Sequence, residues 1–350
     1  MSFINYFGLF LVVIFLTIII YKKQIKNIKK PEINTLFTEA LNFMVRGDKS
    51  KAISLLKDVV KNDSNHIAAY LQLGNILRSD NPEKSIKIHQ SLTVRPQLSL
   101  ELKVDIHRAL AMDYEAIGQM QKAKKEVEQI LKIEKRNLWA LSFLITLSEF
   151  DQEWDKAALY SKQLQKITGK KDTDSLAQFE IYKGLEKLED GLINEAELFF
   201  KNSIKVSSEY APGYFYLGNV YEKKRDLAKA IESWELYAIK DLKNNHKVFS
   251  QIESALFDLG RYSEVEKFYK RILDFDSEHF QAIIRLANVL EEKGEREQAI
   301  SLLDNSLIQK KGDIRTDLMK IKLLIPNSTP TELAQQIDVV LEKLLVTKFD

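Results

Sequence analysis

The sequence predicts an all-α protein built from stacked helix pairs, and two observations carry this. A small residue recurs at Ala52, Ser85, Ala123, Ala157, Ala196, Ala230, Val265 and Ala299, in steps of 33, 38, 34, 39, 34, 35 and 34 residues, the spacing of a helical repeat array. From about Thr35 the apolar residues keep a helical period, and no strand-rich block interrupts them. A stack of helix pairs buries a continuous core and brings no chemistry of its own, so a binding surface is the first expectation.

Taken in chain order, the first element is the uncharged run Phe3 to Tyr21. At 1.5 Å per residue it spans about 30 Å, the hydrocarbon thickness of a bilayer, and it reads as a transmembrane helix. Lys22, Lys23, Lys26, Lys29 and Lys30 follow at once, which by the positive-inside rule places the remainder in the cytoplasm. A secretory signal peptide would carry Lys or Arg before the apolar run and a small-residue cleavage site after it, and neither is present. The expectation is an uncleaved anchor with its basic flank over 1–30; export and monotopic insertion are the alternatives.

After a short junction at Pro31, eight units are expected at about 33–65, 66–98, 99–136, 137–173, 174–209, 210–243, 244–277 and 278–311. Each has a first helix with a small residue near its middle, a turn, and a second helix starting near the recurring small residue. Tyr214, Leu217, Gly218, Tyr221, Ala230, Trp234 and Tyr237 of the sixth unit, and Ala287, Leu290, Gly294, Ala299 and Leu303 of the eighth, resemble the tetratricopeptide consensus W-x2-L-G-x2-Y followed by A-x3-F. The resemblance implies a right-handed superhelical solenoid over 31–311. Lengthened loops are expected at Thr93 to Leu98 and Gly169 to Asp174. Capping helices over 312–350 complete the expected fold, with a break at Ile325 to Ser328 and a restart at Thr329-Pro330, where Thr caps and Pro suits the first helical position.

Lys plus Arg number 52 against 50 acidic residues, a net charge of +2, so no global field favours nucleic acid. There is no cysteine, which removes thiolate catalysis, disulfides and cysteine-based zinc sites. The five histidines, His66, His89, His107, His246 and His279, are scattered without metal-ligand spacing. His89 faces the core of its unit and reads as a packing histidine. Thr168-Gly169-Lys170-Lys171 lacks the first Gly and the hydroxyl residue of a phosphate loop. Glu149, Asp151, Glu153 and Asp155 read as a solvated turn, with nothing to argue burial. No catalytic residue, cofactor or metal is assigned.

Protein partners are expected in the groove lined by the first helices. The residue after the central small residue points into that groove in tetratricopeptide arrays, and here three such positions are Asn75, Asn219 and Asn288. An Asn amide can pair with a peptide backbone whatever its sequence, and Arg78, one turn after Asn75, could add a carboxylate contact. The alternative is that these asparagines are consensus residues left in solvent. Tyr216, Tyr221, Trp234 and Tyr237 have core spacing.

The N-terminal anchor, the stretch Leu73-Gly74-Asn75-Ile76-Leu77-Arg78-Ser79 and the helix Ser85-Ile86-Lys87-Ile88-His89-Gln90-Ser91-Leu92 resemble the lipopolysaccharide assembly protein B family. So does the turn from Ser148 to Ala157, with Phe150-Asp151-Gln152 inserted. The resemblance covers the anchor and the first four units. It implies a non-catalytic adaptor at the inner membrane of Gram-negative bacteria, controlling lipopolysaccharide synthesis through a membrane-bound ATP-dependent protease that degrades the committed-step deacetylase. The family's usual C-terminal rubredoxin-like module, with two C-x-x-C pairs, has no counterpart in a chain without cysteine. The alternative is a general membrane-associated assembly factor for another envelope or respiratory complex. An enzyme is not expected, since the array and its cap use the residues after Pro31.

Overall fold

The computed structural model describes residues 32–309 and 314–346. The anchor expected over 1–30, with Lys22, Lys23, Lys26, Lys29 and Lys30, lies outside the described residues. Among the described residues no helix is long and apolar enough to cross a membrane, so the membrane-spanning part of the expected fold finds no support within them. All regular structure there is helical, in two compact units divided after Asp151.

The first unit contains α1 (Ile33–Val45), α2 (Lys49–Asn62), α3 (Ile67–Leu77), α4 (Pro82–Thr93), α5 (Leu100–Ala116), α6 (Met120–Ile133) and α7 (Leu138–Phe150). The second contains α8 (Trp154–Thr168), α9 (Thr173–Glu189), α10 (Ile193–Val206), α11 (Pro212–Lys223) and α12 (Leu227–Lys240). A 3-10 turn, Asn245–Val248, leads into α13 (Phe249–Asp258), followed by α14 (Tyr262–Phe275), α15 (Phe280–Glu292) and α16 (Arg296–Gln309). Then come α17 (Ile314–Leu324), a 3-10 turn Ile325–Asn327 and α18 (Pro330–Val346). The division between units falls at the Phe150-Asp151-Gln152 insertion, where Gln152 takes a left-handed φ of 57°.

Short polar side chains start many of these helices by accepting an orphan backbone N–H. Asp48, Asn81, Ser99, Asn137, Asp172 and Asp226 do so, and so do the Nδ1 atoms of His66 and His279. Two of the scattered histidines are therefore helix caps. At α18, Thr329 and Glu332 form a reciprocal capping box, Thr329 N–H donating to Glu332 at 2.8 Å and Glu332 N–H to the Thr329 hydroxyl at 3.4 Å. The turn between α5 and α6 needs a left-handed residue and has Gly118 at φ 71°, whereas the turn before α12 places Arg225 at φ 61°.

The recurring small residues lie at the centre of the packing. Ala52, Ser85, Ala123, Ala157, Ala196, Ala230, Val265 and Ala299 are each no more than 1% exposed, which lets the two helices of a pair approach closely. In the first unit one apolar cluster joins α1 to α3 and another runs from Leu71 to Leu147. In the second unit a single cluster extends from Ile181 to Leu323 around Phe200, Trp234, Phe249, Phe268 and Tyr269. Trp234, Tyr237 and Tyr221 are buried in it and Tyr216 packs at its edge, in keeping with their spacing.

Candidate functional site

The stretch from Gly74 to Arg78 and the helix from Ser85 to Leu92 meet through a buried polar joint. Gly74 on α3 has no side chain, and the His89 imidazole from α4 occupies the space: a Cβ at Gly74 would lie 2.2 Å from its Nε2. The ring points Nε2 at the Leu71 carbonyl oxygen, 3.1 Å away, and Nδ1 at Asp113 Oδ2 on α5, 2.6 Å away. Ser85 Oγ lies 2.8 Å from both Asp113 Oδ1 and the Gly74 carbonyl oxygen. Arg78 closes the joint, its Nε donating to Asp113 Oδ1 at 2.6 Å and its Nη2 to Asn75 Oδ1 at 2.8 Å and the Ala109 carbonyl at 3.3 Å. A carboxylate with no exposure survives only when so surrounded by donors, because an unpaired buried charge is costly.

Ser85, His89 and Asp113 share the residue types of a hydrolytic triad but not its geometry. All three have no solvent exposure, and the Ser85 hydroxyl lies between two acceptor oxygens. A nucleophile must reach a reacting atom. This trio instead ties the second helix pair to the third.

Each of the four expected groove residues, Asn75, Arg78, Asn219 and Asn288, has a partner inside the fold. Asn75 accepts from Arg78 and donates to Gln72 at 3.4 Å. The Arg78 guanidinium, expected to meet a partner's carboxylate, is held by the internal carboxylate of Asp113, and its side chain is only 16% exposed. Asn219 Oδ1 accepts from the Trp234 indole N–H at 2.9 Å, and Asn288 Oδ1 accepts from Lys322 at 3.0 Å. His89 is buried as expected, yet it is a hydrogen-bonded residue as well as a packing one. In the acidic turn Glu149 and Asp155 are exposed and Asp151 and Glu153 half-buried; partial desolvation pushes the Glu149 carboxyl above its ordinary value.

Beside the joint, on the first-helix face of the first unit, is a pocket of about 400 Å³ lined by Leu71, Gln72, Asn75, Arg78, Asp105, Arg108, Ala109 and Met112. Arg108 lies over the Trp139 ring of α7, its Cζ 4.6 Å from the ring centroid. Asp113, Arg108 and Trp139 were not selected from the sequence. Asp113 offered a signal, since it interrupts an apolar i, i+3, i+4, i+7 stripe through Ile106, Ala109 and Leu110.

The second unit is dominated by ion pairs across neighbouring helices. Glu197 on α10 accepts from Lys201 and Lys224, both at 2.6 Å. Burial acts to raise its carboxyl, but the two lysine hydrogen bonds outweigh it and bring it down to about 2. Burial likewise acts to depress the Lys183 ammonium, and the hydrogen bonds to Asp155 and Glu180 more than reverse it. Glu253 on α13 accepts from the Tyr269 hydroxyl and from Arg285, both at 2.5 Å. Among the described residues no cluster of three or more His, Asp or Glu side chains is arranged to hold a metal ion.

The chain is similar to several known proteins. A tetratricopeptide repeat family model matches residues 282–315. The lipopolysaccharide assembly protein B of Escherichia coli K12 is 25% identical over 275 residues, 77% of this chain and 70% of that protein. The Haemophilus influenzae protein of the same name is 23% identical over 288 residues, 78% of this chain and 71% of that protein. A solved tetratricopeptide repeat protein from Parabacteroides merdae aligns over 84% of this chain at 14% identity, with a TM-score of 0.38. The chain thus carries a match to the tetratricopeptide repeat at 282–315 and is similar over about three quarters of its length to the proteins named lipopolysaccharide assembly protein B.

Proposed function

We propose that this protein is a non-catalytic adaptor in lipopolysaccharide assembly, held at the inner membrane with its repeats in the cytoplasm. The observation that carries the reading is the homology over 77% of the chain to lipopolysaccharide assembly protein B, which extends well beyond one generic repeat. The architecture supports it, because paired helices present side chains on one face without building an enclosed reaction site. In its specific form the adaptor links a lipopolysaccharide-synthesis enzyme, the committed-step deacetylase, to a membrane-bound ATP-dependent protease. The half-polar pocket between Asn75 and Met112 is of the size that receives a few side chains of a partner.

The test is depletion of the protein, followed by measurement of the deacetylase half-life and the amount of lipopolysaccharide, with affinity purification of the full chain from solubilised membranes. A longer or shorter deacetylase half-life with co-purifying protease is expected. Unchanged values of both removes this setting, and partners drawn from another envelope or respiratory complex would replace it.

A further inference from the structure

We infer that Arg108, stacked on Trp139, anchors a carboxylate of an acidic peptide segment bound on the first-helix face of the first unit, an inference that rests on the adaptor reading above. The pocket holds two guanidinium groups in different circumstances. Arg78 is committed to Asp113, Asn75 and the Ala109 carbonyl. Arg108 pairs with no carboxylate among the described residues, and its Nε is enclosed without a hydrogen-bond partner. A guanidinium is a five-donor fork suited to bidentate carboxylate binding, and here the fold leaves it without an acceptor.

Its placement is built. The indole of Trp139 supports one face of Arg108 with 4.6 Å from Cζ to centroid, and Trp139 is itself stacked on Phe143 of the same helix, with centroids 4.9 Å apart at 30°. Contact with the indole restricts the guanidinium and shields it from water on that side, so less freedom remains to be lost when a ligand binds. The rest of the pocket suits a peptide. Asn75 and Gln72 carry amides able to meet backbone groups, and Met112, 36% exposed, is an adaptable apolar contact. Asp105 lines the same pocket; its charge favours a singly charged carboxylate over a phosphate dianion.

The experiment selects peptides from a displayed random library on the full chain in detergent micelles, then measures one selected, fluorescently labelled peptide by polarisation. Enrichment in Asp and Glu is expected. Arg108→Gln should weaken binding by about tenfold to a hundredfold, the loss of a charged bidentate contact; Arg108→Lys, which keeps charge but not the fork, should fall between, and Trp139→Leu should also weaken it. Unchanged far-UV circular dichroism shows that each variant remains folded. Amidating the peptide C-terminus and exchanging its acidic residues for amides separate a terminal carboxylate from a side-chain one. Selected peptides without acidic residues, affinity indifferent to Arg108→Gln, or phosphate displacing carboxylate at Arg108 would overturn the inference. So would failure to select any peptide while partner proteins are still retained, a result that leaves the adaptor reading in place; loss of partner retention by the unaltered chain strikes that reading instead.

Discussion

Replacing Gly74 by alanine sets two effects of opposite sign against each other. In an unobstructed helix interior the change gains about 1 kcal/mol, because glycine has more backbone freedom to lose. At Gly74 an added Cβ would lie 2.2 Å from His89 Nε2, 2.6 Å from its Cε1 and 2.8 Å from its Cδ2, far inside van der Waals contact. A flexible neighbour would swing aside. The His89 ring cannot, since its two nitrogens are fixed by Asp113 at 2.6 Å and the Leu71 carbonyl at 3.1 Å, and retreat breaks both contacts. Overpacking costs about 1 to 3 kcal/mol, and losing a hydrogen bond to a charged group a further 1.5 to 3 kcal/mol or so. The clash wins, with a net loss of about 1.5 to 5 kcal/mol.

The assay is urea denaturation of the full chain in detergent, followed by far-UV ellipticity, with hydrogen exchange over residues 67–93 to locate the change. Faster exchange confined to α3, α4 and the facing part of α5 is expected. The companion variant His89→Ala empties the space, so adding Gly74→Ala on that background should be neutral or stabilising, giving a strongly non-additive cycle. If Gly74→Ala alone is as stable as the unaltered chain, the argument from close approach is refuted.

Other outcomes follow from the same physical terms. Asp113→Ala leaves Arg78, His89 and Ser85 without their shared acceptor and should cost about 3 to 5 kcal/mol in the same denaturation assay. Glu197 has its carboxyl held at about 2 against an ordinary 4.5, so its contribution is complete above about pH 4.5 and is lost as the pH falls toward 2. Its lysine partners are 49% and 35% exposed, and screening leaves about 1 kcal/mol. The stability gap between the unaltered chain and Glu197→Gln should therefore close over that acidic window, and a gap constant with pH would contradict it. Arg225→Gly, at φ 61°, should stabilise by about 0.5 to 1 kcal/mol by relieving a left-handed side-chain residue, read as a rise in melting temperature.

The helix-pair character was legible in the sequence because burial imposes a period, and the eight recurring small residues are where that period is most exacting. The burial of His89 was legible for the same reason. Its partner was not: Asp113 is 24 residues away on the next helix pair, and periodicity says which face a residue occupies without saying what it meets there. The turn at Arg225 escaped notice because a left-handed residue other than glycine leaves no compositional mark. The expectation of a membrane anchor rests on hydropathy in a stretch outside the described residues.

The asparagines show how a repeat position differs from a site. Asn75, Asn219 and Asn288 occupy equivalent places in three helix pairs, yet one faces an arginine, one an indole N–H and one a lysine, each from this same chain. What recurs is a polar group able to accept whichever donor the adjacent element supplies, a property of stacking. Partner recognition needs a group the stack leaves unsatisfied. Arg108 lies off the recurring asparagine position, on a helix whose neighbouring Asp113 is already saturated by Arg78, His89 and Ser85. Its donors consequently face an aromatic platform and a pocket in place of an internal carboxylate.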